Sequence, residues 1–314
     1  MRILLTSTSF HDTPGKHHEL LKVQNFDTDV IRGPLKEKDL LPVIFKYDAV
    51  ICGDDEFTRE ALEAGKNGKL KYISKYGVGL DKIDLKAAKE FGITVTNCSG
   101  INQVSVAEHT FALLLSFVKN IHLEYKLTSK GKWQRLTGNE IFGKTLGIAG
   151  LGYVGKEVAI RALSFGMNVI AFDNNIDENF IRQNKIRQAV SFETLAQQSD
   201  ILSLHLPLTK ETENIINTVL VKKHMKKGII IINTARGRLA DTDALIWGLN
   251  NNIISGYLAD VLETEPMPEN YALKNHEHVL ITPHIASRTY ENVEKQGICA
   301  VNNLLKMLKR RKSL

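Results

Sequence analysis

Three side chains at the ends of predicted strands could together bind an acid and move a proton. Arg236 follows the apolar run that ends at Asn233, and its planar guanidinium could bind a carboxylate through two parallel hydrogen bonds. Glu265 follows a second run, in "ADVLETEP", and His284 ends a third, in "ITPHIASRT". Histidine can act as acid or base near neutral pH, although one histidine at a strand end is more often structural. The surrounding groups therefore decide how His284 is interpreted.

A glycine motif precedes these residues. "GLGYVG" places Gly150, Gly152 and Gly155 in G-x-G-x-x-G spacing, after the apolar run "TLGIA" and before a helical pattern that Gly166 can cap. The spacing alone is a weak signal, but a strand before it and a helix after it strengthen the signal. Glycines there allow a tight turn, close approach of a pyrophosphate and helix-to-strand packing, while the helix N-terminus favours an anion. The motif predicts a dinucleotide site.

Asp173 indicates which dinucleotide binds. It ends the next apolar run, 18 residues after Gly155, where a carboxylate can accept hydrogen bonds from the adenosine ribose hydroxyls. A carboxylate repels a ribose 2′-phosphate, and Asn174 and Asn175 add no positive charge. NAD is therefore favoured over NADP.

Composition limits the class of protein. A chain of 314 residues with 43% hydrophobic and 24% charged residues predicts a globular cytoplasmic protein of two domains, without a membrane span. Cys52, Cys98 and Cys299 are odd in number and widely separated, which argues against a disulfide framework and against a metal site. The net charge of +6 includes a basic run near the end of the chain, interpreted as a solvated helix end and not as a nucleic-acid patch.

Apolar runs alternate with helical patterns throughout, which predicts an α/β fold of two doubly wound parallel sheets. Two series of predicted strands can be separated, the second of which makes a full Rossmann sheet. The first series is 2–7, 48–53, 70–75 and 92–97, and the second is 144–150, 167–173, 200–207, 228–235, 254–260 and 278–283.

Two helices define the domain organisation. "SVAEHTFALLLSFVKNI", residues 105–121, is apolar nearly all round, with Ser105 and Glu108 in a capping box. The pattern predicts a helix buried on several sides, as a connector between domains or as part of a subunit interface. A last helix, about 289–312, is expected to return to the first series. The predicted domains are a discontinuous flavodoxin-like substrate domain, 1–100 with 286–314, and an NAD-binding domain, 101–285. A cleft between them is expected beside the strand ends.

Eight ordered segments together resemble the D-isomer-specific 2-hydroxyacid dehydrogenases, in the branch of the phosphoglycerate dehydrogenases. They span nearly the whole chain and are far more specific than the glycine motif alone. They are "KYGVGLDKID", "SVAEHTFALLL", "GKTLGIAGLGYVGKEVA", "FGMNVIAFD", "HLPLTKET", "INTARG", "ADVLETEP" and "TPHIAS".

The resemblance implies a homodimeric, NAD-dependent oxidoreductase whose catalytic residues are Arg236, Glu265 and His284. Arg236 would hold the carboxylate of a 2-oxoacid and polarise its carbonyl, and His284 would protonate the carbonyl oxygen as nicotinamide donates a hydride. Glu265, bonded to the imidazole, would raise the pKa of His284 so that it stays protonated at neutral pH.

The resemblance also implies a set of binding residues. For the substrate these are Arg236, the backbone amides of Val78 and Gly79, and Lys75, which stands where phosphoglycerate dehydrogenases often carry a basic side chain. For the cofactor they are Gly150, Gly152, Tyr153, Val154, Gly155, Asp173, Pro207, Thr212, Thr234, Ala235 and Asp260.

The sequence leaves several alternative functions open. The substrate could be 3-phosphoglycerate or a smaller acid such as hydroxypyruvate or glyoxylate. The same fold serves as an NAD-sensing corepressor scaffold, and phosphite dehydrogenases share the Arg, Glu and His trio. The family pattern departs at Cys98 and Ser99, where many relatives have Thr and Pro. Because the last predicted helix ends near residue 312, the regulatory C-terminal domains of some phosphoglycerate dehydrogenases are not expected.

Overall fold

The structure, a computed structural model, describes residues 1–312. Side chains are described as far as residue 309, so those of Arg310, Arg311 and Lys312 in the predicted basic run lie outside the described part. The chain forms two units. One comprises Met1–Asn102 and the described residues from Ser287 onward, and the other comprises Gln103–Ala286.

The first unit is built on a five-stranded parallel sheet with the strand order β2-β1-β3-β4-β5. Its strands are β1 (Arg2–Leu5), β2 (Asp27–Val30), β3 (Ala49–Cys52), β4 (Tyr72–Lys75) and β5 (Thr94–Thr96). The helices that connect them are α1 (Thr8–Asp12), α2 (Lys16–Lys22), α3 (Glu37–Leu40), α4 (Arg59–Asn67) and α5 (Leu85–Glu90).

The second unit is built on a seven-stranded parallel sheet with the order β12-β11-β10-β9-β6-β7-β8. Its strands are β6 (Thr145–Ala149), β7 (Asn168–Phe172), β8 (Arg187–Gln188), β9 (Ile201–Leu204), β10 (Ile229–Asn233), β11 (Ile254–Ala259) and β12 (Val279–Ile281). Its helices are α6 (Gln103–Val118), α7 (Ile121–Thr128), α8 (Tyr153–Ser164), α9 (Glu178–Gln183), α10 (Phe192–Gln198), α11 (Thr218–Lys223) and α12 (Thr242–Asn250).

Successive residues of the central strands enter two separate cores, one on each face of the sheet. In β10, Ile231 belongs to the core that includes helices α10 to α12, whereas Ile232 belongs to the core that includes α6 and α8. Because side chains alternate across a strand, a strand covered on both faces must be apolar at every position. This explains the continuous apolar run "GIIIIN".

The last helix, α13 (Tyr290–Lys312), packs within the first unit against α2 and β4. Its Val293, Ala300 and Leu304 share a core with Ile3 and Leu5 of β1. In the part of the chain that the structure describes, no helix has the length and apolar character needed to cross a membrane.

The predicted fold class, two parallel α/β sheets, is confirmed, with two local corrections. The edge strands β2 and β8 were not predicted, because polar residues such as those of "DTDV" form no apolar run. The predicted capping box of Ser105 and Glu108 is wrong. Helix α6 begins at Gln103, so Ser105 lies inside the helix, where its hydroxyl donates to the carbonyl of Ala286 at 2.7 Å.

Candidate active site

The glycine turn after β6 has the geometry that a dinucleotide needs. Gly150 has φ +92°, and a Cβ there would lie 2.6 Å from the carbonyl oxygen of His205. A Cβ at Gly155 would lie 2.0 Å from the carbonyl oxygen of Gly150, so only glycine lets α8 pack this close to the strand. A Cβ at Gly152 would meet nothing within 4 Å, which leaves the turn open to a ligand.

Asp173 helps to shape this turn. One carboxylate oxygen accepts a hydrogen bond from the amide of Leu151 at 2.7 Å, and the other accepts from the amide of Asn175 at 2.8 Å. No side chain caps α8, whose first turn therefore keeps amides for an anion. These residues fit a dinucleotide, with the pyrophosphate at the helix N-terminus and the ribose beside Asp173.

The remaining predicted cofactor residues surround the same edge of the sheet. Tyr153 is 67% exposed at the start of α8, and Val154 follows it in the same turn. The hydroxyl of Thr212 donates to the carbonyl of Pro207 at 2.7 Å, which closes the loop after β9. Thr234 lies beyond the end of β10, with its hydroxyl 3.2 Å from that of Thr110 on α6.

A side chain of β10 fixes the turn that carries Arg236. The amide of Asn233 donates to the carbonyl of Arg236 at 2.9 Å, while its oxygen accepts from the backbone N–H of Ala235 at 3.1 Å. A Cβ at Gly237 would lie 1.9 Å from the carbonyl carbon of Leu262. The absence of a side chain at Gly237 therefore lets the Arg236 turn pack directly on the loop that leads to Glu265.

Asp260, at the end of β11, organises the segment around His284. Its carboxylate is 1% exposed and accepts hydrogen bonds from the Thr282 hydroxyl at 2.6 Å, the Ile285 amide at 2.9 Å and the Ala286 amide at 2.7 Å. Burial acts to raise the pKa of Asp260, but His109, 3.4 Å away, and these donors outweigh it and lower the pKa. The carboxylate is therefore held ionised inside the protein.

Sequence reasoning missed these structural roles, because it assigned Asp260 only to the cofactor and gave His109 no role. His109 lies on α6, and its Nε2 is 2.9 Å from the Thr282 hydroxyl. The one available signal was the position of both residues inside the family-like segments "SVAEHTFALLL" and "ADVLETEP".

His284 and Glu265 form a hydrogen-bonded pair. The imidazole Nδ1 lies 2.8 Å from Glu265 Oε2, and the other carboxylate oxygen accepts from the amide of Leu262 at 2.9 Å. His284 has φ +54°, and its backbone N–H donates to the carbonyl of Asp260 at 2.8 Å. The side chains of His284 and Glu265 are 32% and 26% exposed, so the pair is partly shielded from water.

The predicted substrate residues Lys75, Val78 and Gly79 lie in the first unit, at and beyond the end of β4. Asn97 donates to the carbonyl of Val78 at 2.6 Å and so fixes this turn. The ammonium of Lys75 is 2.5 Å from Asp54 Oδ1. Lys75 is thus the cation of an ion pair within its own unit.

The carboxyl edge of one parallel sheet carries the glycine turn after β6 and Arg236. The same edge carries His284, which is bonded to Glu265, and the buried Asp260. This combination is typical of a nicotinamide-dependent oxidoreductase. Comparison with known proteins identifies the family.

Residues 111–286 match the family "D-isomer specific 2-hydroxyacid dehydrogenase, NAD binding domain". Hydroxypyruvate reductase of Thermotoga maritima is 38% identical over 307 residues, which cover 95% of this chain and 97% of the relative. D-3-phosphoglycerate dehydrogenase of Archaeoglobus fulgidus is 36% identical over 295 residues, which cover 93% of this chain but 55% of the relative. The structure of D-lactate dehydrogenase from Aquifex aeolicus with NAD and lactic acid superimposes with a TM-score of 0.84 at 32% identity, over 98% of this chain and 95% of that one.

The chain belongs to the D-isomer-specific 2-hydroxyacid dehydrogenase family. It is an NAD-dependent oxidoreductase that transfers a hydride between nicotinamide and a D-2-hydroxyacid or its 2-oxoacid. The predicted family, enzyme class and cofactor are thereby confirmed. The similarity to reductases and dehydrogenases favours an enzyme over the corepressor scaffold.

Proposed function

We propose that this enzyme reduces small 2-oxoacids such as hydroxypyruvate and glyoxylate, with His284 as the acid and base. The hydrogen bond of 2.8 Å between His284 Nδ1 and Glu265 Oε2 carries this proposal. A carboxylate on Nδ1 stabilises the imidazolium and orients the ring, so that Nε2 is the atom that exchanges a proton with the substrate oxygen. Oxidation of a D-2-hydroxyacid is the reverse, with neutral His284 as the base.

Arg236 has the role of binding and polarising the substrate. Its guanidinium matches the geometry of a carboxylate, and its turn is fixed by Asn233 and by the contact of Gly237 with Leu262. A positive charge beside the substrate also stabilises the negative charge that develops on the carbonyl oxygen during reduction. We also assign the backbone amides of Val78 and Gly79 to substrate binding. Glycines at 77 and 79 keep that backbone accessible.

The geometry of the glycine turn supports the cofactor residues that we propose. Gly150, Gly152 and Gly155 shape the pyrophosphate site, and Asp173 accepts from the adenosine ribose. We assign the other contacts to Tyr153, Val154, Pro207, Thr212, Thr234, Ala235 and Asp260. When bound, NAD supplies the hydride donor or acceptor.

The test is NADH oxidation with pyruvate, glyoxylate, hydroxypyruvate and 3-phosphohydroxypyruvate, for wild type and His284→Ala. His278→Ala is the matched control, because His278 is an exposed histidine of the same unit, paired only with its neighbour Glu277 among the salt bridges found in the described residues. We expect the His284 variant to lose kcat by about 100-fold or more while still binding NADH. A His284→Ala enzyme as fast as the His278 control would refute the assignment.

We propose, in addition, a homodimer formed through residues 121–142. Helix α7 has no buried residue, and the segment exposes Ile121 (55%), Tyr125 (74%) and Trp133 (84%). Exposed aromatic and large apolar residues are typical of subunit interfaces. Light scattering should give twice the chain mass for wild type, half of that value for Trp133→Glu, and no change for Val190→Glu, whose valine is 88% exposed elsewhere in the unit. A monomeric wild type contradicts the proposal.

A cytoplasmic location is also part of the proposed function. Cys52, Cys98 and Cys299 are free thiols, as expected in a reducing compartment, which is also where a soluble NAD pool is available. Cell fractionation with activity measurements tests this location, and recovery of the activity outside the cytoplasmic fraction contradicts it.

A further inference from the structure

Lys75, the one basic side chain that the sequence offered for a substrate phosphate, lies in an ion pair at the end of β4. Its ammonium donates to Asp54 Oδ1 at 2.5 Å and to the carbonyl of Gly53. The two partners differ in exposure, since the Lys75 side chain is 5% exposed and that of Asp54 is 39% exposed. The carboxylate, and not the ammonium, therefore forms the accessible side of the pair.

The ion pair of Lys75 and Asp54 is adjacent to the turn at residues 77–79, which we assign to substrate binding. A Cβ at Gly77 would lie 3.5 Å from Lys75 Cε and 3.9 Å from its Nζ. The next residue, Val78, is held through its carbonyl by Asn97 at 2.6 Å and is 37% exposed. A substrate held at this turn would have the Asp54 carboxylate near it.

The loop that carries Asp54 is held in place by its neighbour. Asp55 is 1% exposed, and its carboxylate accepts hydrogen bonds from the Thr6 hydroxyl, from the Leu35 amide at 2.6 Å and from the Gly53 amide at 3.1 Å. These bonds join the loop of Asp54 to the end of β1 and to the loop before α3. The backbone that carries Asp54 is thereby held beside Lys75, so the ion pair is preformed.

We propose that Asp54 is a specificity-determining residue that rejects phosphorylated substrates and restricts the enzyme to small, unphosphorylated 2-oxoacids. A phosphate group carries about −1.5 to −2 charges at neutral pH. Near β4 the phosphate would lie close to the exposed Asp54 carboxylate, whereas the Lys75 ammonium is buried. The phosphate is therefore repelled by Asp54. A lysine that bound phosphate there would first have to give up its bonds to the Asp54 carboxylate and to the carbonyl of Gly53.

This inference rests on the proposed function and chooses between the substrates of the hydroxypyruvate reductase and phosphoglycerate dehydrogenase relatives. Sequence identity does not separate them, since the values are 38% and 36%.

The test compares kcat/KM for hydroxypyruvate and 3-phosphohydroxypyruvate in wild type, Asp54→Asn and Glu63→Gln. Glu63 is an exposed carboxylate on α4 of the same unit, so its variant changes the net charge equally away from β4. We expect wild type to prefer hydroxypyruvate, and Asp54→Asn to raise the phosphorylated-to-unphosphorylated ratio roughly tenfold, because one nearby charge is removed. Glu63→Gln should leave the ratio unchanged.

Binding distinguishes failure of this inference from failure of the proposed function. Calorimetric titration of the enzyme–NADH complex with D-glycerate and D-3-phosphoglycerate, neither of which NADH can reduce, measures the same preference without turnover. If no 2-oxoacid is reduced, the proposed function fails, and the binding ratio still decides the role of Asp54. A wild type that prefers the phosphorylated ligand, or an unchanged ratio in Asp54→Asn and in Asp54→Ser, overturns the inference.

Discussion

Replacing Glu265 by glutamine removes the negative charge beside His284 and keeps the size of the side chain. Glu265 uses both oxygens as acceptors, one for the imidazole at 2.8 Å and one for the Leu262 amide at 2.9 Å. Glutamine has one acceptor oxygen and can serve only one of these donors. The substitution therefore removes the stabilisation of the imidazolium and weakens the loop.

The size of the effect follows from the geometry of the pair. Two unit charges about 4 Å apart interact by about 4 kcal/mol at an effective dielectric constant of about 20. Because the side chains are 32% and 26% exposed, water screens part of this. The remaining value should lie in the range of about 1.5–3 kcal/mol that is typical of hydrogen bonds to charged groups. A factor of ten in rate corresponds to about 1.36 kcal/mol, so losing this stabilisation of the imidazolium should lower kcat/KM by about 10–100-fold.

The assay is the pH dependence of kcat/KM for reduction of hydroxypyruvate, followed by NADH absorbance. Reduction needs a proton from His284, and the Glu265 carboxylate helps to hold that proton on the imidazole. In Glu265→Gln kcat/KM should be about 10–100-fold lower on the alkaline side and differ less in acid, because the imidazolium has lost its carboxylate partner. Glu263→Gln, an exposed carboxylate in the same loop, is the charge-matched control.

Two results would refute this reasoning. A Glu265→Gln profile that superimposes on wild type would show that the carboxylate does not control protonation of His284. A loss that is equal at every pH would show that Glu265 holds only the structure of the loop.

Three further predictions concern the supports of the site and a thiol outside it. Gly155→Ala places a Cβ 2.0 Å from the carbonyl oxygen of Gly150, so calorimetry should show a lower Tm and weaker NADH binding, and unchanged values would contradict the packing role. Asp260→Asn leaves at least one buried donor unpaired, so the free energy of unfolding should fall by about 1–3 kcal/mol. Urea denaturation measures this change, and a variant as stable as wild type would contradict it. The neighbouring Cys98 thiol lowers the pKa of Cys299, so alkylation of Cys299 by iodoacetamide should be half-maximal at a lower pH in wild type than in Cys98→Ala. The same midpoint in both proteins would contradict this.

Sequence patterns predicted the central strands well because burial on both faces makes the whole strand apolar. The edge strand β2 is exposed or half-buried at all four positions, so its sequence "DTDV" carries neither an apolar run nor a useful alternation. Strand β8 has two residues, both exposed. Such strands are specified by pairing with a neighbour, which is a long-range property that a local pattern does not contain.

The error at Ser105 has a similar origin. A serine three residues before a glutamate is a valid local signal for a helix start. Here the serine hydroxyl donates to Ala286, a residue 181 positions away, and the helix begins earlier, at Gln103. The contact across the unit, and not the local motif, determines the role of this side chain.

The order of strand ends predicted which residues meet at the carboxyl edge of the second sheet, but not their bonds. Asp54 and Asp55 are adjacent acids, and nothing in the sequence distinguishes the buried one from the exposed one. Their different roles come from Thr6 and Leu35, which folding brings to Asp55. The pairing of Lys75 with Asp54, and so the charge that a substrate meets there, depends on the fold of this unit and not on the local sequence.

The backbone at His284 determines which substitution tests the chemistry most directly. Its φ of +54° lies in the left-handed region, which disfavours alanine and is tolerated by asparagine. The bond of its N–H to Asp260 and the amides of Ile285 and Ala286 on the Asp260 carboxylate hold this conformation. We therefore expect His284→Asn to keep Tm closer to wild type than His284→Ala does, because the asparagine amide can donate to Glu265. Asparagine has no group that titrates near neutral pH, so neither variant can transfer the proton. If both variants lose kcat equally although only the alanine variant is destabilised, the loss belongs to proton transfer. An asparagine variant with wild-type kcat would show instead that His284 only shapes the loop.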